Sequence, residues 1–289
     1  LIIVMPLKTA GMLDAILERQ RFMEYLSQNG VDTTPPLHSQ NGNLAESLLD
    51  GAMASYSWCM VQGEPISVSD PRRRQDFYAA WGKMLGKMHR LAKLYPQWQA
   101  SAAIDAWGDP LISRRHEYNH FCEWIRDDEV RAAWISLNAE LDSFPLTREN
   151  HGFVHNDAHP GNILIRDGRL ILIDFDVSNF LWFILDLAIC VFSEFAHVQH
   201  HSPHRHLLPQ MDELFLQPFM RAYESENVLP ESDYAAIETF IRYRRFIMFA
   251  AFYDQIKTNA PDYLEIMKGE LIRGDAFFMD GKEFVSRWR

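Results

Sequence analysis

The chain is short of cysteine, of positive charge, of long apolar runs and of glycine-rich phosphate loops, and each shortage removes a class of function. Cys59, Cys122 and Cys190 are the only 3 cysteines in 289 residues. They are far apart and odd in number, so they write neither a disulfide framework nor zinc-finger spacing, and a reducing, cytoplasmic setting is expected. With 28 Lys+Arg against 39 Asp+Glu, the formal net charge is −11. That is the wrong sign for a nucleic-acid or anionic-membrane binder. It suits a cationic ligand, although solubility alone also explains it. No apolar run reaches membrane-spanning length, and Leu1-Ile2-Ile3-Val4-Met5 is too short and too lacking in basic residues for a signal segment. There is no fixed-period repeat, no low-complexity tract, no G-x4-G-K-[ST] loop, and no glycine-rich loop before residue 12.

What is present demands a core. Hydrophobic residues make up 47% of the chain, with 19 Phe, 10 Tyr and 8 Trp, which excludes disorder and predicts one large domain or two lobes. Leu1–Met5 reads as a strand already under way, so the first strands of the fold are expected to precede Leu1. Met12, Ala15, Ile16, Phe22, Met23 and Leu26 have helical spacing, stopped by Asn29-Gly30. Residues 31–62 read as short strands and turns, with a hairpin signal at Asn41-Gly42 and a strand over Tyr56–Val61. Phe77, Trp81, Leu85, Met88 and Leu91 form a helical stripe ended by Pro96. Further helices are expected near 114–127, 129–142, 184–200, 209–226, 231–257 and 261–273. The reading is an α+β chain with a small mixed lobe over 1–63 and a larger, mostly helical lobe over 64–289. The boundary falls near Gln62-Gly63-Glu64-Pro65.

The chemistry concentrates between His151 and Asp176. Ile163–Ile165 and Leu170–Ile173 are β-rich runs joined by Asp167-Gly168, a two-residue type I′ turn. That turn pairs Arg166 with Arg169, Ile165 with Leu170 and Leu164 with Ile171, so Asn162 and Asp174 emerge together at the open end. Asp157 precedes Asn162 by five residues, across a His159-Pro160-Gly161 run that cannot be helix interior. Asn162 and Asp174 offer hard oxygen ligands for Mg²⁺ bridging nucleotide phosphates. Asp157 is placed to orient an acceptor hydroxyl and take its proton, which suits phosphoryl transfer. His155 and His159 have HxxxH spacing, but Pro160-Gly161 removes the helix that zinc binding would need. The histidines at 197, 200, 201, 204 and 206 read as a solvated loop.

His155-Asn156-Asp157-Ala158-His159-Pro160-Gly161-Asn162 and Ile173-Asp174-Phe175-Asp176 resemble the H-x-D-x4-N and D-F-x motifs of the aminoglycoside phosphotransferase/choline kinase family, small-molecule relatives of eukaryotic-type protein kinases. The resemblance implies a protein-kinase-like bilobal fold and transfer of the γ-phosphate of ATP, with Mg²⁺, to a small-molecule hydroxyl. The acceptor would be aminoglycoside-, choline- or homoserine-like. By that analogy Asp157 is the catalytic base, supported by His155, and Asn162 and Asp174 hold the metal. Trp81–His89 is similar to the helix that follows the family's hinge, and Asp186 to the carboxylate that braces its catalytic loop. Glu18 resembles the helical glutamate that pairs the ATP-anchoring lysine, for which Lys8 is the one lysine available before it. Backbone groups of Met60, Val61 and Gln62 would meet adenine at the hinge. A stress-type Ser/Thr protein kinase and a non-catalytic nucleotide-binding pseudokinase remain alternatives.

Overall fold

The computed structural model describes residues 1–8, 11–66, 70–96, 110–200 and 203–289. The chain opens with β1 (Ile2–Pro6), α1 (Met12–Gln28), β2 (Pro36–Leu37), β3 (Ala45–Leu48) and β4 (Met53–Trp58). β4 is the middle of the sheet: β1 lies antiparallel on one edge, and β2 and β3 follow one another antiparallel along the other. β2 and β3 therefore run in the same direction, and Asn41-Gly42 sits in an excursion between them rather than in the hairpin expected there. The true reversal is at Leu49-Asp50-Gly51, whose φ values of 51°, 54° and 89° are all left-handed and join β3 to β4.

α1 has two working faces. Leu13, Ile16 and Leu17 pack on Ile3, Met5, Ala45, Ala54 and Tyr56 of the sheet. Phe22, Met23 and Leu26 face the other way into the main core, where Phe22 stacks on Phe153 at 4.4 Å and meets Tyr95 edge-on at 5.2 Å. One helix thereby couples the small lobe to the large one. β4 stops at Trp58, short of the strand expected to Val61; its last rung is Cys59 N–H donating to Pro35 O at 3.0 Å, in register with β2. The chain then crosses to β5 (Glu64–Pro65), which pairs with Ile165 and Leu164 of the large lobe.

In the large lobe, α2 (Gln75–Leu94) is followed by α3 (Arg114–Trp124), α4 (Asp128–Leu141), β6 (His151–Val154), β7 (Ile163–Arg166), β8 (Arg169–Leu172) and β9 (Asn179–Trp182). Then come α5 (Phe183–His200), α6 (Gln217–Glu224), α7 (Glu231–Ala235), α8 (Ile237–Asn259) and α9 (Pro261–Arg273). The expected helix over 209–226 is broken: Pro209 ends a 3₁₀ stretch, a π turn spans Asp212–Leu216, and α6 begins with Pro218 in its first turn. The one over 231–257 divides at Ala236 into α7 and α8. α2 and α6 cross closely because α2 carries glycine there. A Cβ on Gly82 would lie 2.0 Å from Phe219 O, and one on Gly86 would lie 2.5 Å from Tyr223 O. Phe180, Trp182 and Phe183 are core, as are Trp81, Trp134 and Trp288. Among the described residues no helix is long and apolar enough to cross a membrane.

Candidate active site

The β7–β8 ladder has the register set by its turn: Ile163 pairs with Leu172, Leu164 with Ile171, Ile165 with Leu170 and Arg166 with Arg169. Asp167 and Gly168 take φ of 52° and 74°, the left-handed pair of a type I′ turn. At the open end Ile173 N–H donates to Asn162 O at 3.0 Å, which places Asp174 beside Asn162. Asp174 itself has φ 66°, as does Asn156, an unusual backbone for non-glycine residues that the surrounding bonds must enforce.

The loop before the hairpin is held from beneath by Asp186 of α5. Its completely buried carboxylate accepts from His155 N–H at 2.9 Å and Asn156 N–H at 2.7 Å, and His89 Nε2 of α2 lies 3.1 Å away. Asp186 thus braces the loop as its motif suggested. His155 is also fully buried. Its Nδ1 accepts from Asp157 N–H at 3.2 Å and its Nε2 lies 2.9 Å from Ile173 O, the pattern of a neutral ring protonated on Nε2. Burial lowers the His155 pKa in keeping with that form. With no open face, His155 acts on Asp157 through the backbone. Asn156 Nδ2 donates to Glu117 Oε2 at 2.5 Å, and Tyr243 O–H donates to Glu117 Oε1 at 2.7 Å. Burial raises the Glu117 carboxyl despite these donors.

Asp157 stands where three elements meet. Arg244 Nη2 of α8 donates to its Oδ1 at 2.5 Å. Asn162 Nδ2 donates to its Oδ2 at 3.1 Å and to its main-chain O at 2.9 Å, and His159 Nε2 is 3.4 Å from Oδ2. Burial would raise the Asp157 carboxyl, but His159 and Arg244 outweigh it and hold the pKa at about 2. The side chain is therefore ionised throughout the physiological range. Asp174 and Asp176 are both exposed. Burial of part of the side chain and the charge of Asp174 raise the Asp176 carboxyl, against Arg19. On the small-lobe side Tyr56 is pushed up to about 12, by burial first and then by Asp176. Arg19 Nε of α1 donates to Ser178 O at 2.9 Å.

The structure thus brings Asp157, His155, Asn162 and Asp174 together. Glu18 is half-buried on α1, and Lys8 is exposed past the end of β1. Met60 and Gln62 are exposed and Val61 half-buried in the connection between the lobes. His159 Nδ1 accepts from Gly161 N–H at 3.0 Å within a 3₁₀ turn, so the HxxxH pair lies on no helix. Of the later histidines, His201 lies outside the described residues, and no group of three or more His, Cys, Asp or Glu among the described residues could hold a metal. A cleft of about 650 Å³ lined by Lys83, Lys87, Arg90 and Arg169 lies at the turn end of the hairpin, away from this constellation.

Sequence reasoning missed Glu117 and Arg19. From sequence, Arg242, Tyr243, Arg244 and Arg245 read either as lining an acceptor site or, for Arg242 and Arg245, as a solvated face. The structure puts Arg244 on Asp157, buries Arg245 against Glu270 and Asp275 O, and pairs Arg242 with Glu140 at 2.6 Å. A signal for Arg244 existed, because it falls four residues after Phe240 and three before Ile247, on the buried stripe itself.

Residues 8–236, which carry the loop and hairpin but not α8, match the profile of a known family of phosphate-transferring proteins. The chain belongs to the phosphotransferase enzyme family. This phosphotransferase is 24% identical over 254 residues to amicoumacin kinase of Bacillus subtilis, across 85% of this chain and 71% of that one. It is 28% identical over 177 residues to homoserine kinase of Beijerinckia indica subsp. indica, across 58% of this chain and 50% of the relative. Amicoumacin kinase in complex with AMP-PNP, Ca²⁺ and Ami superposes with a TM-score of 0.75 at 22% identity, over 95% of this chain and 81% of the other. A microcompartment-associated aminopropanol kinase superposes at 0.60 with 17% identity, over 94% and 82%. The α+β bilobal, protein-kinase-like fold is the one these kinases share.

Proposed function

We propose that this phosphotransferase moves the γ-phosphate of ATP to a hydroxyl of a small molecule, with Asp157 engaging the acceptor. The observation that carries the reading is an ionised Asp157 hydrogen-bonded to Asn162, with Asp174 at the next position of the hairpin mouth. An ionised carboxylate orients a hydroxyl and accepts its proton as the phosphoryl group arrives, and the remaining requirement is positioning and charge neutralisation.

The metal assignment passes a donor test. The Asn162 amide nitrogen is committed to Asp157, so the carboxamide oxygen is left as the donor facing away from it, and the Asp174 carboxylate is exposed. Two hard protein oxygens suit Mg²⁺, which takes its other ligands from water and phosphates. When bound, the ion would bridge and neutralise those phosphates. Met60, Val61 and Gln62 would supply backbone groups for adenine, and Lys8 and Glu18 would be the lysine and glutamate that steady the phosphates. Residues 1–63 would form the nucleotide-binding lobe and 64–289 the catalytic one.

The names of the relatives, amicoumacin kinase and homoserine kinase, favour a small molecule over a protein acceptor. The test is Mg²⁺-dependent ADP release with amino alcohols, sugars, hydroxy amino acids and aminoglycosides in separate wells. Acceptor-stimulated release supports the reading; release stimulated only by protein substrates overturns it.

A further inference from the structure

We infer that the acceptor carries a carboxylate or similar oxygen group beside its reactive hydroxyl, and that Arg244 on α8 reads it. The inference rests on the reading of Asp157 given above. The two oxygens of Asp157 have different neighbours: Oδ2 is occupied by Asn162 and His159 on the hairpin side, and Oδ1 has Arg244. An acceptor hydroxyl must come to Asp157 from the side away from Asn162, which is the α8 side. There it lies against the Arg244 guanidinium.

Arg244 is nine-tenths buried but incompletely used. It reaches Asp157 through Nη2 alone, and its buried Nε has no hydrogen-bond partner among the described residues. Guanidinium forks match carboxylates bidentately, and most of this fork is open. The neighbours on α8 have their own oxygens: Tyr243 bonds Glu117, Arg242 bonds Glu140 and Arg245 bonds Glu270. A cationic centre next to the reactive hydroxyl would be repelled by Arg244, whereas an anionic one would be attracted. Because Arg244 already neutralises Asp157, an incoming carboxylate meets no uncompensated charge on Asp157 itself.

The test uses two probes differing by one group, homoserine and 3-amino-1-propanol, with the intact chain and its Arg244→Gln and Arg244→Lys variants. ATP–Mg²⁺ binding by calorimetry is measured on the same samples. The parent should prefer homoserine in kcat/KM by about 10- to 100-fold, the range for a charge-assisted hydrogen bond. Arg244→Gln should erase the preference, mainly through the homoserine KM, and Arg244→Lys should restore part of it. Equal use of both probes, preference for the amine, an equal loss on both in Arg244→Gln, or no use of either would overturn the inference. Loss of ATP–Mg²⁺ binding in the parent would instead overturn the function proposed above.

Discussion

Arg19 on α1 donates through Nε to the main-chain oxygen of Ser178, 2.9 Å away and 159 residues later in the chain. The bond ties the helix that carries Glu18 to the loop that follows Asp176, so the small lobe and the hairpin mouth share one fixed point. Arg19→Met should lower kcat/KM for ATP about 10-fold or more, the cost of a charged donor's bond. Arg19→Lys should recover part of it. Steady-state kinetics at saturating acceptor check this, and unchanged nucleotide kinetics in Arg19→Met would show that the contact is incidental.

Asp157→Asn keeps the shape and removes the charge. Turnover should fall by about 10²- to 10⁴-fold, as expected when a positioned base is lost, while ATP–Mg²⁺ binding stays largely intact. Undiminished activity would remove Asp157 from the base role.

Asp174→Ala addresses the metal. ATP binding should lose its Mg²⁺ dependence in calorimetric titrations run with and without the ion, and Asn162→Ala should weaken it less, since an amide oxygen is a poorer ligand than a carboxylate. Survival of the full Mg²⁺ effect in Asp174→Ala would contradict the assignment.

Asp186→Ala would leave the buried N–H groups of His155 and Asn156 without an acceptor. At about 1–3 kcal/mol for each orphaned donor, stability should drop by about 2–6 kcal/mol in denaturant titrations. A loss under about 1 kcal/mol would show that the loop does not depend on the brace.

Acid should act on the fold through its buried histidines. Burial lowers the pKa of His151 from 6.5 to about 4, and His89 and His155 are depressed in the same direction. For these histidines the unfolded chain binds more protons than the native one between about pH 6.5 and 4, so their contribution to stability rises with pH across that window. The raised carboxyls of Glu117 and Glu194 act in the opposite direction. His151 alone contributes about 3 kcal/mol that is fully present above pH 6.5 and lost by pH 4. His151→Gln should flatten the pH dependence of the denaturation midpoint over that range, and an unaltered slope would rule the histidine out.

Local rules carried the sequence a long way. Asp167-Gly168 demanded a two-residue turn, the turn set the register, and the register brought Asn162 to Asp174; every step depended on neighbours in the chain. The same rules misplaced Asn41-Gly42, because an Asn-Gly pair with only its glycine left-handed, at φ 81°, also fits a loop interrupting one edge of the sheet, and only the position of β4 distinguishes the two. Helix breaks at residues 205–216 and 236 went unread for a similar reason: apolar spacing continues across them. Glu117 and Arg19 act through partners 39 and 159 residues away, and no local pattern reports such distances. Arg244 was within reach, since a cation on the buried stripe of an amphipathic helix must find an anion inside the protein.

Only the turn of the hairpin is open: a Cβ placed on Gly168 would have no atom within 4 Å, whereas Arg169 beside it pairs with Asp32 of the small lobe at 2.8 Å. Four residue pairs link that tip to Asn162 and Asp174 at the base. The hairpin is thus clamped on both strands, by Glu64-Pro65 against β7 and by Asp32 against Arg169 and Leu172. A fluorophore attached at exposed Arg166 would therefore report any shift of the small lobe against the hairpin without a label inside the reaction centre.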